Sequence, residues 1–489
     1  MSLWTRKSIA RLQAEAESNT LNRVLGPWQL TALGIGSVIG TGIFVLTGTA
    51  ASLHAGPSLV ISMIIAAVGC GLAGLCYAEL ASMIPVAGSA YTYAYATSGE
   101  LMAWIIGWDL VLEYALATAT VAVGWSGYFN SLMDDLGLSL PAWLTGPPGM
   151  TITAADGSVV SGVFNLPAAV VVLLVSWLLI IGIRQSASTN TVLVMLKLGV
   201  LVVFVTAGAS YIHRANLTPF IPPNTGNFGE FGWSGILRGA AIMFFAYVGF
   251  DAVSTAAQES RHPQRDVPLG MLASLAICTV VYTAVAIVLL GIVHYSRLNV
   301  ADPLAVGIDA TGLHWLSPVI KVSALFGLFS TMLVQLLGQT RVFFAMSRDG
   351  LLPEPFGRVH PRFRTPHLST GLTGAVVALA AGLLPIGLLG QLVSMGTLLA
   401  FVLVCIGILI LRQTSPELPR PFRTPGLPWV PILGAAFCLV QMFSLPLATW
   451  VRLFIWLAVG MVVYFGYGRA RAARFRARPQ MAEAPAVSA

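Results

Sequence analysis

One lysine, Lys197, lies in the middle of the apolar run TVLVMLKLGVLVVF. Ionisable side chains inside a membrane are costly and usually mark a functional site. Mostly apolar residues flank Lys197 on both sides, so its side chain cannot easily extend far enough to place the ammonium at either membrane interface. Two interpretations remain open. Either Lys197 loses and regains a proton, or backbone carbonyls hold its charge permanently as a structural pin.

Two carboxylates interrupt other apolar runs. Glu113 lies in GWDLVLEYALATATVAVG, and Asp109 precedes it by one helical turn on the same face. Glu113 either faces a pathway or satisfies a neighbouring helix by hydrogen bonds. Asp251, in FFAYVGFDAVSTAAQE, fits the start of a second helix half, where a carboxylate accepts hydrogen bonds from free backbone amides.

Four glycines, at positions 34, 36, 40 and 42, fall in the apolar run LGIGSVIGTGIF. Glycine in a helix interior costs about 1 kcal/mol relative to alanine. The spacing of Gly36 and Gly40 is that of a close helix-packing motif. A dinucleotide loop is excluded because the spacing is GxGxxxG and no βαβ unit surrounds it. We favour a discontinuous helix, whose unwound middle exposes peptide groups to a ligand and lets that ligand approach the backbone.

The run MFFAYVGFDAVS repeats this pattern, with Tyr247, Gly249 and Asp251 in mid-span. The two interrupted runs are the first and sixth apolar stretches, so each is the first helix in one of two halves of five helices. The match is one of position, because no sequence similarity between the halves is evident. Paired interruptions of this kind indicate the binding site of a transporter.

The elements that position these residues are membrane helices. Of 489 residues, 56% are hydrophobic and 9% are charged, against about 25% charged in soluble domains. Twelve stretches have about the 20 apolar residues that cross a bilayer. They are 28–51, 57–82, 98–130, 163–183, 190–212, 233–258, 270–293, 315–346, 369–385, 388–411, 428–447 and 450–468.

The basic residues predict the orientation. With the N-terminus inside, twenty of the 26 lysines and arginines lie in cytoplasmic segments and three lie in external ones, which is the asymmetry of the positive-inside rule. The basic tail RARAARFRARP directly follows a span, so we interpret it as a contact with anionic membrane lipid rather than with nucleic acid. The five cysteines lie in apolar stretches without metal-ligand spacing.

Two smaller expectations concern the ends of the spans. Several tryptophans near the span ends are predicted to be interfacial anchors: Trp104, Trp108, Trp125, Trp143, Trp177 and Trp233. The external loop TGPPGMTITAADGSVVSG is consistent with a small hairpin turning at Asp156 and Gly157.

Four motifs together resemble the amino acid–polyamine–organocation superfamily, and within it the bacterial relatives of the cationic amino acid transporters. They are GIGSVIGTGIF, PVAGSAYTYAYATSGE, FFAYVGFDAVSTAAQESRHPQRDVP and GQTRVFFAMSRDGLLP. The resemblance implies an all-α membrane protein with a LeuT-like 5+5 inverted repeat plus two extra helices. It divides the chain into a cytoplasmic segment (1–27), a transport core (28–411), spans eleven and twelve (412–468) and a basic cytoplasmic tail (469–489).

The resemblance also implies a site for a zwitterion. The substrate carboxylate would lie at Gly40, Thr41 and Gly42, and a helix N-terminus suits an anion. Proton-coupled members place a lysine of span five where Lys197 lies. Carbonyls expected to hold the α-ammonium belong to Val38, Phe245, Ala246 and Val248. Candidates for the side-chain pocket are Glu113, Phe250, Gln335 and Leu336.

We therefore expect a proton-coupled symporter that brings L-amino acids into the cell across the bacterial inner membrane, with both termini cytoplasmic. Small neutral or hydrophobic amino acids are favoured. Uptake of cationic amino acids, or exchange by the same fold, is the alternative. The sequence shows no Walker loop or nucleophile elbow, so we expect neither an enzyme nor a cofactor or metal. Whether a small single-span accessory subunit binds stays open.

Overall fold

The structure is a computed structural model, and it describes residues 4–8, 12, 24–86, 89–153, 158–182, 187–363 and 365–477. Most of these residues are helical. The α-helices within these ranges are α1 (Pro27–Val38), α2 (Thr47–Ala50), α3 (Leu59–Met83), α4 (Ser89–Thr97), α5 (Glu100–Asp135), α6 (Leu166–Ile180), α7 (Ala187–Gly208), α8 (Gly232–Met243), α9 (Ala252–Thr255), α10 (Pro263–Ile292), α11 (Pro303–Asp309), α12 (Leu316–Arg348), α13 (His367–Leu383), α14 (Ile386–Thr414), α15 (Trp429–Ser444), α16 (Leu447–Val463) and α17 (Arg469–Ala477).

Each predicted span contains a helix. Within the described ranges, eight helical runs are long and apolar enough to cross a membrane, and α6, α13 and α15 are shorter apolar helices. The 15 residues of α6 reach about 22 Å, less than a bilayer core of about 30 Å. The longest run, Gly42–Met83, turns at Gly56, which has φ 59° and is followed by Pro57. This run therefore contains the end of predicted span one and all of span two.

The helices pack around the two interrupted spans. Helix α12 lies along α5, while α10 packs against both α1 and α3. The apolar part of the run that contains α8 and α9 is almost completely buried, whereas that of the run containing α16 is mostly exposed. The interrupted sixth span thus lies in the protein interior, and α16 lies at the periphery.

Peripheral α16 is joined to α5 by tryptophans, which corrects part of the anchor prediction. Trp104 is buried, and its indole N–H donates to the Gly460 carbonyl at 2.9 Å. The indoles of Trp108 and Trp456 donate to each other's carbonyls at 2.9 and 3.0 Å, with their rings stacked 4.7 Å apart. Trp104 and Trp108 are therefore interhelical contacts, because α16 covers that face of α5. The exposed tryptophans of the predicted set are Trp143, Trp177 and Trp233.

The predicted hairpin is found where its strands are described. Strand β1 (Thr151–Thr153) pairs antiparallel with β2 (Val159–Ser161). The predicted turn residues Asp156 and Gly157 lie outside the described residues.

Candidate functional site

The first span is interrupted as predicted. Helix α1 ends at Val38, and Ile39 adopts an extended backbone with φ −71° and ψ 96°. A π-helical segment, Gly42–Leu46, resumes the span. The amide of Ile43 donates to the Gly40 carbonyl at 3.2 Å, so the helical ladder does not continue across the break. The Gly36 and Ile39 carbonyls instead accept hydrogen bonds from side chains.

Lys197 of α7 is the main hydrogen-bond donor to these carbonyls. Its Nζ donates to the Gly36 carbonyl at 2.9 Å, the Ile39 carbonyl at 3.1 Å and the Thr331 hydroxyl at 3.0 Å. An ammonium has three N–H donors, and all three are used although the side chain is buried. The Thr331 hydroxyl in turn lies 3.1 Å from the Ile39 carbonyl, to which it can donate. The carbonyl contacts that the pin interpretation requires are therefore present.

The sixth span is interrupted at the matching place. Helix α8 passes into a 3-10 turn, Phe244–Tyr247, and Val248 is extended with φ −60° and ψ 133°. Gly249 has φ 115°, a conformation that side chains other than glycine rarely adopt. Helix α9 then begins after Asp251. The Asp251 side chain makes no capping hydrogen bond, so its predicted role as a carboxylate cap is wrong although its position is that of the cap.

The two interruptions touch each other, and this explains the glycines. A Cβ atom on Gly42 would collide with the backbone of Ala246. A Cβ atom on Gly249 would come within 2.6 Å of the Ser37 hydroxyl and 3.0 Å of its backbone. Glycine at these positions allows the broken segments of spans one and six to approach each other directly.

A small cavity lies between the two interruptions. Its volume is about 10 Å³, room for one water molecule at most. The hydroxyls of Ser37 and Thr41 are buried and have no hydrogen-bond partner among the described residues. The ten described residues that line the cavity include no charged side chain; they are Ser37, Val38, Gly40, Thr41, Gly42, Val121, Phe245, Val248, Thr331 and Gln335.

Seven of the predicted site residues line this cavity: Val38, Gly40, Thr41, Gly42, Phe245, Val248 and Gln335. Ala246 lies beside it, against Gly42. Lys197 lies behind the break of span one rather than in the lining. Phe250 packs on Tyr77 and Phe401. Leu336 is buried outside the lining.

Glu113 is also outside the lining. The residue of α5 that lines the cavity is Val121, eight residues and about 12 Å further along the helix. Glu113 is buried, and its Oε2 has no hydrogen-bond partner among the described residues. It therefore lies between the cavity and the predicted cytoplasmic end of α5.

Sequence reasoning missed three lining residues, Ser37, Val121 and Thr331. Thr331 precedes the predicted Gln335 by four residues, so both lie on the same face of α12. This spacing could have identified Thr331 as a lining residue. Ser37 lies inside the glycine stretch and is the polar side chain nearest the break. A valine in a membrane helix carries no such signal.

Polar contacts close the predicted cytoplasmic end. Arg341 of α12 lies 3.5 Å from the Glu259 carboxylate and donates to the Thr255 hydroxyl at 3.1 Å. Closer to the end of α12, Lys7 and Tyr91 both donate to Asp349, at 2.5 and 2.6 Å. The N-terminal segment and the sixth span are thereby attached to α12.

Other polar contacts close the opposite end. The loop before α8 folds over the end of span one: Phe231 N–H donates to the His54 carbonyl, and the His54 ring bonds the Gly229 carbonyl, each at 2.7 Å. Lys321 joins α12 to Asp135 of α5 at 2.6 Å. Polar contacts therefore bridge the helices on both sides of the central cavity. Among the described residues, no group of three or more His, Cys, Asp or Glu side chains could hold a metal ion.

Comparisons with known proteins agree with this architecture. A family model described as amino acid permease matches residues 25–465. The chain is 47% identical to a methylthioribose transporter of Bacillus subtilis and 45% identical to the branched-chain amino acid permease BcaP of the same organism. Each alignment covers 96% of this chain and 98% of the relative. It is also 36% identical to the vacuolar cationic amino acid transporter 4 of Arabidopsis thaliana, over 81% of this chain and 64% of that protein.

Proposed function

The chain belongs to the amino acid permease family of membrane transporters, and we propose that it is a proton-coupled symporter that brings small neutral or hydrophobic L-amino acids into the cell. The observation that carries the proposal is the contact between two interrupted helices around an uncharged cavity with two unpaired hydroxyls. Peptide groups at such interruptions bind substrates in transporters.

An amino acid backbone would be bound at both of its charged ends. The amides of Gly40, Thr41 and Gly42 start a helix segment, so they have no acceptor within it and carry the positive end of its dipole toward a carboxylate. The α-ammonium would lie on the carbonyls of Val38, Phe245, Ala246 and Val248. The Val38 carbonyl already accepts from Tyr282 at 2.8 Å, but a carbonyl oxygen has a second lone pair.

The lining favours a neutral substrate side chain over a cationic one. Its charge-free walls, with Val121, Phe245 and Val248, would leave a lysine or arginine side chain buried without a counter-ion, which is strongly unfavourable. The 45% identity to a branched-chain amino acid permease supports the same choice. Cationic amino acids are the weaker alternative.

The small cavity implies movement. Because it holds one water molecule at most, an amino acid can bind only after the surrounding helices separate. The polar contacts at the two ends, Arg341 with Glu259 and Lys321 with Asp135, are the ones that we expect to break in turn as each end opens.

Lys197 would couple this movement to a proton. A neutral amine has two N–H donors instead of three, so deprotonation would leave one of its three acceptors unpaired. The break of span one would then be held less firmly, and its carbonyls would be free to reorient. Exchange without net proton movement is the alternative for the same fold.

The organisation expected from the resemblance completes the proposal. It comprises a LeuT-like core of two inverted five-helix repeats at 28–411, spans eleven and twelve at 412–468, and both termini on the cytoplasmic side of the bacterial inner membrane. Support comes from the helix found in each predicted span and from interruptions at matching positions of spans one and six.

Uptake into proteoliposomes tests the proposal. Empty vesicles containing the purified protein should accumulate labelled L-leucine when the outside is more acidic than the inside, and a proton ionophore should abolish accumulation. Competition by each of the twenty amino acids would rank the substrates. Leucine movement that requires internal amino acid and ignores the pH gradient would establish exchange instead.

Methylthioribose is a second candidate substrate, because a methylthioribose transporter is 47% identical over 96% of the chain. This thio-sugar carries hydroxyls but neither a carboxylate nor an ammonium, so it would leave the paired amide and carbonyl sites unused. Unlabelled methylthioribose added to the leucine assay separates the two. Strong inhibition by the sugar together with weak inhibition by all amino acids would favour the sugar.

A further inference from the structure

A second, much larger cavity lies at the predicted cytoplasmic end of the molecule. Its volume is about 790 Å³. The walls come from three segments that are distant in sequence: the end of α12, the 3-10 turn Glu354–Gly357 with Arg358, and the chain from Gly466 into α17. This cavity shares no lining residue with the central one.

The lining is strongly basic. It includes Arg348, Arg358, Arg471 and Arg474, against one carboxylate, Glu354. Arg471 lies 4.0 Å from Glu354 and donates to the Tyr467 hydroxyl. The other three arginines are exposed and form no ion pair among the described residues. Four positive charges therefore lie around this cavity with a single negative charge among them.

Arginine side chains in this arrangement suit a phosphate group. The guanidinium presents parallel N–H donors that match two phosphate oxygens at once. Tyr467 adds a hydroxyl to the same wall. The four arginines and Glu354 carry a formal charge of +3. A phosphate with one or two negative charges would lower this to +2 or +1, whereas a neutral ligand would leave it unchanged.

The position of the cavity favours a lipid as the source of the phosphate. The wall formed by Gly466, Tyr467 and Ala470 continues from α16 through the π-helical segment Tyr464–Gly468. Val462 of α16 is 73% exposed, and Phe465 of that segment is 49% exposed. Such apolar exposure on a membrane helix marks the surface that lipid tails cover. A headgroup in the cavity would therefore have its acyl chains beside α16.

We propose that this arginine-lined cavity binds the phosphate headgroup of an anionic phospholipid, with the acyl chains lying along α16. Basic pockets between membrane helices at the cytoplasmic face bind lipid phosphates in this way. The proposal does not depend on the transported substrate. It extends the expected lipid contact of the basic tail from a general attraction to a defined site built by three segments.

Lipid binding to the full-length chain tests the site. The purified, delipidated protein in detergent is mixed with phosphatidylglycerol, and bound lipid is counted by native mass spectrometry. We expect one tightly held phosphatidylglycerol, little binding of phosphatidylcholine, and a loss of affinity of more than about tenfold when the four arginines are neutralised together. The test variant is Arg348→Gln, Arg358→Gln, Arg471→Gln and Arg474→Gln.

A matched control removes the same charge elsewhere. It neutralises four exposed arginines of predicted cytoplasmic loops that do not line the cavity, and it should bind lipid as the unmodified chain does: Arg261→Gln, Arg265→Gln, Arg362→Gln and Arg423→Gln. Equal lipid binding by the two quadruple variants would overturn the proposal.

Soluble competitors distinguish the sources of phosphate. Inorganic phosphate and glycerol phosphate at millimolar concentration should leave the bound lipid in place, because they lack acyl chains. Displacement of the lipid by either one would overturn the lipid assignment and make the cavity a site for soluble phosphates. If the control variant folds and the test variant does not, charge reversal of single arginines to glutamate, one at a time, provides the same comparison.

Discussion

The interruptions of spans one and six lie against each other but are maintained by different means. In span six the break is local, because Gly249 adopts φ 115° and a 3-10 turn leads into it. In span one the break has no residue with positive φ. It is held from outside by the Lys197 ammonium, which replaces the lost amide donors of the Gly36 and Ile39 carbonyls.

This difference shows how the two breaks can have different roles. A break set by backbone conformation does not depend on the protonation of a side chain from another helix. A break held by a titratable side chain from another helix changes when that side chain loses a proton. We therefore expect span one to be the responsive half of the site and span six to be the fixed half.

The largest effect should come from Lys197→Ala, which removes the outside support of span one. Three buried acceptors would each lose the hydrogen bond from the ammonium, at a cost of about 1–3 kcal/mol each. We expect uptake of labelled leucine driven by a pH gradient to fall at least about a hundredfold. The initial rate in proteoliposomes measures this.

Lys321→Ala is the control for removing a buried lysine, because Lys321 pairs with Asp135 away from both breaks. Since that pair is expected to break as one end opens, the comparison with Lys197→Ala rests on the pH response of this variant and not on its rate. Its uptake should still respond to the pH gradient. Full gradient-driven uptake by Lys197→Ala would show that span one does not depend on this ammonium.

The next effect should come from Gly249→Ala, which acts on the local break of span six. An alanine at φ 115° is strained by about 1–3 kcal/mol, and its methyl would press on Ser37. We expect a lower melting temperature and roughly tenfold slower uptake, with the pH dependence unchanged.

Gly137→Ala controls for strain alone, because Gly137 has φ 70° but open space around it and lies far along the chain from both breaks. If Gly137→Ala slows uptake as much as Gly249→Ala does, contact between the two spans is not the cause.

A smaller effect is expected from Thr331→Val, which weakens the support of span one without removing the charge. The hydroxyl accepts from Lys197 at 3.0 Å and lies 3.1 Å from the Ile39 carbonyl. Loss of about 1 kcal/mol should slow uptake about fivefold, as measured by initial rates. Thr331→Ser should restore it, and a serine variant as slow as the valine one would contradict a role for the hydroxyl.

The smallest effect should come from Tyr282→Phe. Its hydroxyl donates to the Val38 carbonyl at 2.8 Å, so it supports the end of α1 by one ordinary hydrogen bond worth about 1 kcal/mol. We expect the KM for leucine to change by less than about fivefold. A defect as large as that of Lys197→Ala would mean that support for span one comes mainly from α10.

Much of the fold and part of the site were accessible from the sequence. The apolar stretches predicted where helices would lie, because about 20 apolar residues in a row suit one membrane crossing. The glycines of the first and sixth spans predicted both interruptions, because glycine in a membrane helix usually serves close approach or unusual backbone angles. The family resemblance then named Val38, Gly40, Thr41 and Gly42, which line the cavity between the interruptions.

Side-chain polarity was a poorer guide to the pocket. Glu113 drew attention as a carboxylate in an apolar run, but the cavity is lined by Val121 of the same helix. Trp104 and Trp108 looked like interfacial anchors, but α16 covers them. In both cases the deciding factor is which helix packs on which face, and a single sequence does not contain that information.

The sequence by itself determined that the chain is a membrane protein of helices, where two of those helices break, and that one lysine is buried in the apolar interior. The tertiary structure alone decided that the Lys197 ammonium lies on the carbonyls of the first break, that Gly42 and Gly249 bring the breaks together, and that four arginines meet at one cavity. The physical reason is the separation along the chain over which each interaction acts. Hydrophobicity and backbone preference act within a few residues, whereas a hydrogen bond between residues 36 and 197 exists only once the helices have packed.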